Sequence, residues 1–90
     1  MLEVTAAAIE QRLCERFAPS VLTVLDESAA HAGHMEGGSG QGTHFRVRIA
    51  CAAFVGRSRV QRHRLVYDAV DDFFAAGLHA LALQTDLPQE

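Results

Sequence analysis

In residues 43–50, Thr43-His44-Phe45-Arg46-Val47-Arg48-Ile49-Ala50, polar and apolar side chains alternate from His44 to Ile49. Successive side chains of a β-strand point to opposite faces, so Phe45, Val47 and Ile49 are predicted to face a core while His44, Arg46 and Arg48 face outward. The run Cys51-Ala52-Ala53-Phe54-Val55-Gly56 then turns the chain. Ser58 opens a helix with a capping box, because its hydroxyl can accept from the Gln61 amide while the Gln61 side chain reaches back to the Ser58 amide. Val60, His63, Val66 with Tyr67, Val70, and Phe73 with Phe74 recur at helical spacing as the apolar stripe, and Gly77 is placed to end the helix. Residues 78–85, Leu-His-Ala-Leu-Ala-Leu-Gln-Thr, predict a last strand with His79, Leu81 and Leu83 on one face and Leu78, Ala80 and Ala82 on the other. A strand, a helix and a second strand form a crossover unit, which requires the two strands to lie parallel with a right-handed connection.

Upstream, Thr5 precedes a helix over roughly residues 5–17, whose Ala6, Ile9, Leu13 and Phe17 share a face. Pro19 stops it, since a proline disfavours helical backbone in the residue before it. Residues 21–25, Val-Leu-Thr-Val-Leu, are β-branched-rich and predict a strand that pairs with residues 43–50 as a hairpin. Between the two strands, residues 27–42 hold five glycines and predict a long flexible loop, of a length that in compact domains usually carries function. The expectation is a single α+β domain over residues 1–90, in the order α-β-β-α-β, with a three-stranded mixed sheet and helices on one face.

Ninety residues with 49% hydrophobic content suffice for one core. Cys14 and Cys51 are too few for a disulfide framework and are expected to be inert structural thiols. A positive leader segment and an apolar run of membrane-spanning length are both missing, so the expected location is the cytoplasm. The net charge of −3 conceals segregation: residues 1–42 carry −4, residues 43–64 carry +6 and residues 65–90 carry −5. A basic middle between acidic flanks is either an interaction surface or a solvated strand and helix face. Arg57, Arg59, Arg62 and Arg64 crowd the positive end of the helix dipole, and Asp71 and Asp72 lie toward the other end, both against the usual preference.

Several blocks resemble BolA proteins, and they appear in that family's order: Asp26-Glu27-Ser28 followed by His31, Thr43-His44-Phe45, Phe54 through Tyr67, and Gly77-Leu78-His79-Ala80-Leu81-Ala82-Leu83. The resemblance covers roughly residues 5–88 and implies a fold like the class II nucleic-acid-binding KH domain. It also implies partnership with a monothiol glutaredoxin and its glutathione, sharing a [2Fe–2S] cluster in iron–sulfur trafficking or iron regulation. In that account the histidine of the Gly-Leu-His-Ala-Leu block, His79, is a ligand, and His31, or His34 nearby, is the second.

The residues themselves bear on this reading. Iron–sulfur clusters take four protein-type ligands, usually thiolates, and a His pair on one iron occurs in Rieske centres. With no C-x-x-C and two distant cysteines, the chain has no self-sufficient cluster site, and a partner bringing thiolates would complete one. Against a ligand role, His79 could be a satisfied histidine at a strand start, and His31 and His34 could be solvated loop residues or a weak zinc pair. His44 is expected to be an outward strand residue, and His63 falls on the helix stripe as a packed histidine. The alternative is a DNA-binding transcriptional regulator using Gly56, Arg57, Ser58, Arg59, Arg62 and Arg64, where a helix start and arginines could attract phosphate. The second glycine of a KH clamp is missing there, because Arg59 occupies its place. Hydrolase and phosphate-loop motifs are absent, so an enzyme is not expected. Alone, the chain is expected to be a monomer or a weak dimer.

Overall fold

A computed structural model describes residues 2–28 and 43–88. Its elements are α1 (Ala6–Phe17), β1 (Val21–Asp26), β2 (His44–Ala50), a short 3-10 turn (Ala52–Phe54), α2 (Arg59–Ala69), α3 (Asp71–Ala75) and β3 (Ala80–Asp86). The sheet has the order β1-β2-β3, with β2 antiparallel to β1 and parallel to β3. The alternation in β2 works as its sequence requires: Phe45, Val47 and Ile49 are buried and Arg46 and Arg48 exposed. The buried face packs with Ile9 and Leu13 of α1, Val66 and Ala69 of α2 and Phe73 of α3 in one core cluster, so the helices cover a single face of the sheet. The expected loop at residues 27–42 lies outside the described residues beyond Ser28.

Helix α1 begins where Thr5 accepts a hydrogen bond from the Ala8 amide through Oγ1 (3.1 Å). It ends at Ala18, which turns left-handed (φ 44°, ψ 56°) just before Pro19. Phe17 packs against Phe54 of the 3-10 turn, ring centroids 5.9 Å apart. Cys51 is buried in the core, whereas Cys14 is exposed on α1, so the expectation of two packed thiols holds for one of them. The predicted stripe holds, with Ile9 and Leu13 fully buried and Ala6 and Phe17 packed partly buried beside them, and Cys14 lies off that face.

The second helical segment departs from the single helix expected. Val70 leaves helical geometry (φ −115°, ψ 17°) and separates α2 from α3. At the break Arg12 Nη1 donates to the Ala69 carbonyl (2.8 Å), the group that the Phe73 amide would bond in a continuous helix. The Phe73 amide donates to the Val70 carbonyl instead (2.9 Å). Arg12 also makes two bonds to Asp72, at 2.6 and 2.9 Å, and its guanidinium lies 4.8 Å from the centre of the Phe73 ring. Asp71 and Asp72 therefore sit in the first turn of α3, where the free amides favour acids, and their apparent conflict with the helix dipole disappears. The stripe is also corrected at its start: Val60 is 63% exposed, while Val66, Ala69 and Val70 carry the packing.

The end of α3 is a Schellman motif. The Leu78 amide donates to the Phe73 carbonyl (3.0 Å) and the Gly77 amide to that of Phe74 (3.3 Å), with Phe73 and Leu78 both buried beside the turn. Gly77 takes φ 125°, which side-chain-bearing residues rarely adopt. The turn also overrides strand parity. Regular strand begins at Ala80, two residues later than the apolar run suggests, so Leu78 drops into the core and His79 emerges exposed.

Candidate binding site at the head of the third strand

The site grows from the neck of the β1–β2 hairpin. Asp26 ends β1 and its carboxylate accepts from the Ser28 amide (2.9 Å). Ser28 is thereby turned inward and is 1% exposed. Its Oγ accepts from the amides of Thr43 (2.9 Å) and His44 (3.0 Å) and donates to the His44 carbonyl (3.4 Å). The Glu27 amide donates to that same carbonyl at 2.8 Å. One hydroxyl thus ties together the two ends of the connection between β1 and β2, which explains why a small donor–acceptor stands at this position.

The neck is joined directly to His79. The Thr43 carbonyl accepts from the amides of both His79 (2.8 Å) and Ala80 (3.1 Å), and β3 starts in register with His44 opposite Ala80. The His79 imidazole is exposed and, among the described residues, makes no hydrogen bond or ion pair. Its ring lies 6.1 Å, centroid to centroid, from that of His44, with the planes 78° apart. His44 is half-buried, and its Nδ1 lies 3.0 Å from Thr43 Oγ1. His31 and His34 fall outside the described residues. The structure therefore brings His44 to His79, a pairing that alternation alone does not reveal. The signal that would have found it is the parallel register of β2 on β3, because that register sets the first residue of β2 beside the start of β3.

Donor chemistry at this head fits a ligand that completes its coordination elsewhere. An exposed imidazole without an internal hydrogen-bond partner can donate a lone pair outward. Among the described residues no group of three or more His, Cys, Asp or Glu could hold a metal ion on its own. Cys51 cannot help, since burial pushes its thiol up and away from the thiolate form that metals require.

The basic candidates lie elsewhere, at the start of α2. Gly56 (φ 78°) follows Val55 (φ −62°, ψ 129°) in a turn closed by the Arg57 amide donating to the Phe54 carbonyl (3.2 Å). That is the geometry of a type II turn, so this glycine is required by the backbone whatever the surface binds. Ser58 caps α2 with the full capping box, the Gln61 amide reaching Ser58 Oγ (3.2 Å) and the Ser58 amide reaching Gln61 Oε1 (2.9 Å). Two arginines are engaged locally: Arg57 Nε donates to the Ala53 carbonyl (2.9 Å) and Arg62 Nε to the Arg57 carbonyl (3.0 Å). Those carbonyls partly explain the arginines at a helix start. Arg59 and Arg64 are exposed and, among the described residues, make no hydrogen bond or ion pair.

Elsewhere, Arg46 meets Glu27 (3.1 Å) and Arg48 meets Asp86 (3.3 Å), so the basic strand is neutralised by acids from both flanking segments. No described helix is long and apolar enough to cross a membrane.

Fold and site together define a small α+β domain with a histidine-bearing head and no complete metal site among its described residues. A family model described as BolA-like protein matches residues 13–90, and the chain belongs to that family. It is 48% identical over 83 residues to an uncharacterised protein in the cobS 5' region of Sinorhizobium sp., covering 91% of this chain and 89% of that one. It is 38% identical over 82 residues to the DNA-binding transcriptional regulator BolA of Vibrio cholerae, covering 91% and 74%. Among solved structures, the BolA domain of SufE1 from Arabidopsis thaliana superposes with a TM-score of 0.84 at 40% identity, covering 98% and 96%. Several curated relatives are longer, and the chain spans 23% of the Arabidopsis SufE-like protein 1 and 58% of mouse BolA-like protein 1. The SufE-like protein carries chloroplastic/mitochondrial in its name, so family membership does not carry the cytoplasmic expectation.

Proposed function

We propose that this chain is a binding adaptor, without enzymatic activity, that shares a [2Fe–2S] cluster with a monothiol glutaredoxin and its glutathione. The observation that carries the reading is the exposed His79 imidazole at the head of β3, free of internal hydrogen bonds among the described residues. His79 is assigned as one ligand, and His31 or His34 as the second. The partner supplies the thiolate sulfur: Cys51 is buried, and Cys14, though exposed, belongs to α1 and not to the hairpin neck or the head of β3. A shared cluster would serve iron–sulfur trafficking or iron sensing, because the same cargo reports on iron supply. Histidine in place of thiolate lowers the negative charge on the irons and raises the reduction potential.

The test mixes the protein with a monothiol glutaredoxin carrying its cluster and records visible absorption and circular dichroism. The expected result is a changed spectrum that His79→Ala reverses. A spectrum unchanged by the wild-type chain, or changed equally by His79→Ala, removes the ligand assignment.

A second reading is supported by the name of the Vibrio relative and by the exposed Arg59 and Arg64: duplex DNA bound at the start of α2, across Gly56, Arg57, Ser58, Arg59, Arg62 and Arg64. Its measurement is affinity against salt, with a slope near about −0.9 per phosphate contact expected for B-DNA. A double substitution Arg59→Ala with Arg64→Ala should flatten that slope. An unchanged slope eliminates the surface.

A further inference from the structure

We propose that His44 is a positioning residue for His79, setting the direction in which that imidazole presents its nitrogen. The inference rests on the cluster-sharing reading and adds to it a residue that acts through another. Ligating histidines ordinarily anchor their second ring nitrogen on a carboxylate, a carbonyl or water, which fixes the ring. Among the described residues His79 has no such anchor, so its ring rotates about the bond to Cβ unless something else restrains it.

The neighbour that meets this ring is His44. Its centroid separation of 6.1 Å and interplanar angle of 78° are those of an edge-to-face pair, the arrangement aromatic rings favour at about 4.5–7 Å. His44 is itself held at several points. Its ring nitrogen Nδ1 lies 3.0 Å from Thr43 Oγ1, its amide donates to Ser28 Oγ (3.0 Å), and its carbonyl accepts from the Glu27 amide (2.8 Å). The His79 backbone is tied to the same strand start through the Thr43 carbonyl (2.8 Å). A half-buried, anchored ring thus stands against an exposed, unanchored one, and order passes from the hairpin neck to the ligand. The support is the flat edge of a ring, so a phenyl group can supply it and a methyl group cannot.

Two measurements test this. In the isolated chain, nuclear Overhauser contacts between the His44 and His79 ring protons are expected; their absence overturns the proposal. With cluster-loaded monothiol glutaredoxin, His44→Ala is expected to weaken cluster-bridged association by roughly tenfold or more, as outer-shell losses do at metal sites. His44→Phe is expected to stay within about threefold of wild type, below the roughly tenfold at which outer-shell losses begin. Should His44→Ala fail to fold by far-ultraviolet circular dichroism, His44→Leu replaces it, because leucine keeps bulk without a flat edge. Wild-type association in His44→Ala or His44→Leu overturns the positioning role. So does equal loss in His44→Phe and His44→Ala, which would make the nitrogen itself the working group. His79→Ala separates the two levels: if it leaves the cluster spectrum as in wild type, the cluster reading falls, whereas a His79 effect without a His44 effect removes only the positioning role.

Discussion

Replacing Ser28 with alanine isolates the contribution of one hydroxyl to both stability and site geometry. Ser28 is 1% exposed, so removing Oγ leaves the Thr43 and His44 amides, bonded at 2.9 and 3.0 Å, without their acceptor. A buried donor left unpaired costs about 1–3 kcal/mol. Thr43 and His44 are only half-buried as residues, which puts each loss at the lower end. The longer bond to the His44 carbonyl, at 3.4 Å, adds little, because that carbonyl keeps the Glu27 amide. Ser28→Ala should therefore lose about 2 kcal/mol in urea unfolding. For a chain of this size that corresponds to a fall of roughly 8–16 °C in Tm. The same variant should raise amide exchange at Thr43 and His44 well before it does so at Val47, in the middle of β2. A loss below about 0.5 kcal/mol, within the range of ordinary surface substitutions, or unchanged exchange at both amides, would refute the claim that this hydroxyl closes the hairpin neck.

Three further outcomes follow from particular contacts. Gly77→Ala meets no atom within 4 Å of the added Cβ, so its effect is backbone strain alone at φ 125°, about 1–3 kcal/mol by urea unfolding; no loss would mean the turn relaxes freely. Arg12 holds the Asp72 carboxyl below the usual carboxylate range, first through their hydrogen bond. A carboxyl whose folded pKa is depressed stabilises the fold above its unfolded pKa and loses that contribution as pH falls through the folded value. Wild type should thus exceed Asp72→Asn in urea midpoint at neutral pH, with the gap closing as pH drops below the usual carboxylate range; a constant gap contradicts the pairing. Finally, Cys14 is exposed and Cys51 buried with its thiol pushed up, so a thiol reagent should titrate one cysteine in the native protein and both in denaturant. Rapid native labelling of both would show the core opening around Cys51.

Local rules made much of the architecture legible in the sequence. Alternation from Phe45 to Ile49 named the buried face of β2, Ser58 and Gln61 named the start of α2, and the strand–helix–strand order required β2 and β3 to be parallel. These signals work because each depends on neighbours a few residues apart. His79 was legible as a candidate through its block, whereas its exposure was not. Its place opposite the head of β2 was not legible, since strand parity assigned it to the face of Leu81.

What folding alone decided involves groups far apart in the chain. The break at Val70 is bridged by Arg12, fifty-seven residues before the Ala69 carbonyl to which it donates. The charge segregation left an interaction surface and a solvated face both open, and folding brings Glu27 and Asp86 from opposite flanks to meet Arg46 and Arg48. The pairing of His44 with His79 needs the β2–β3 register and the turn at Gly77 together. Sequence periodicity encodes which way a side chain points within its own element. Which distant partner it meets depends on how the elements dock, and that is set by the packing of the whole core.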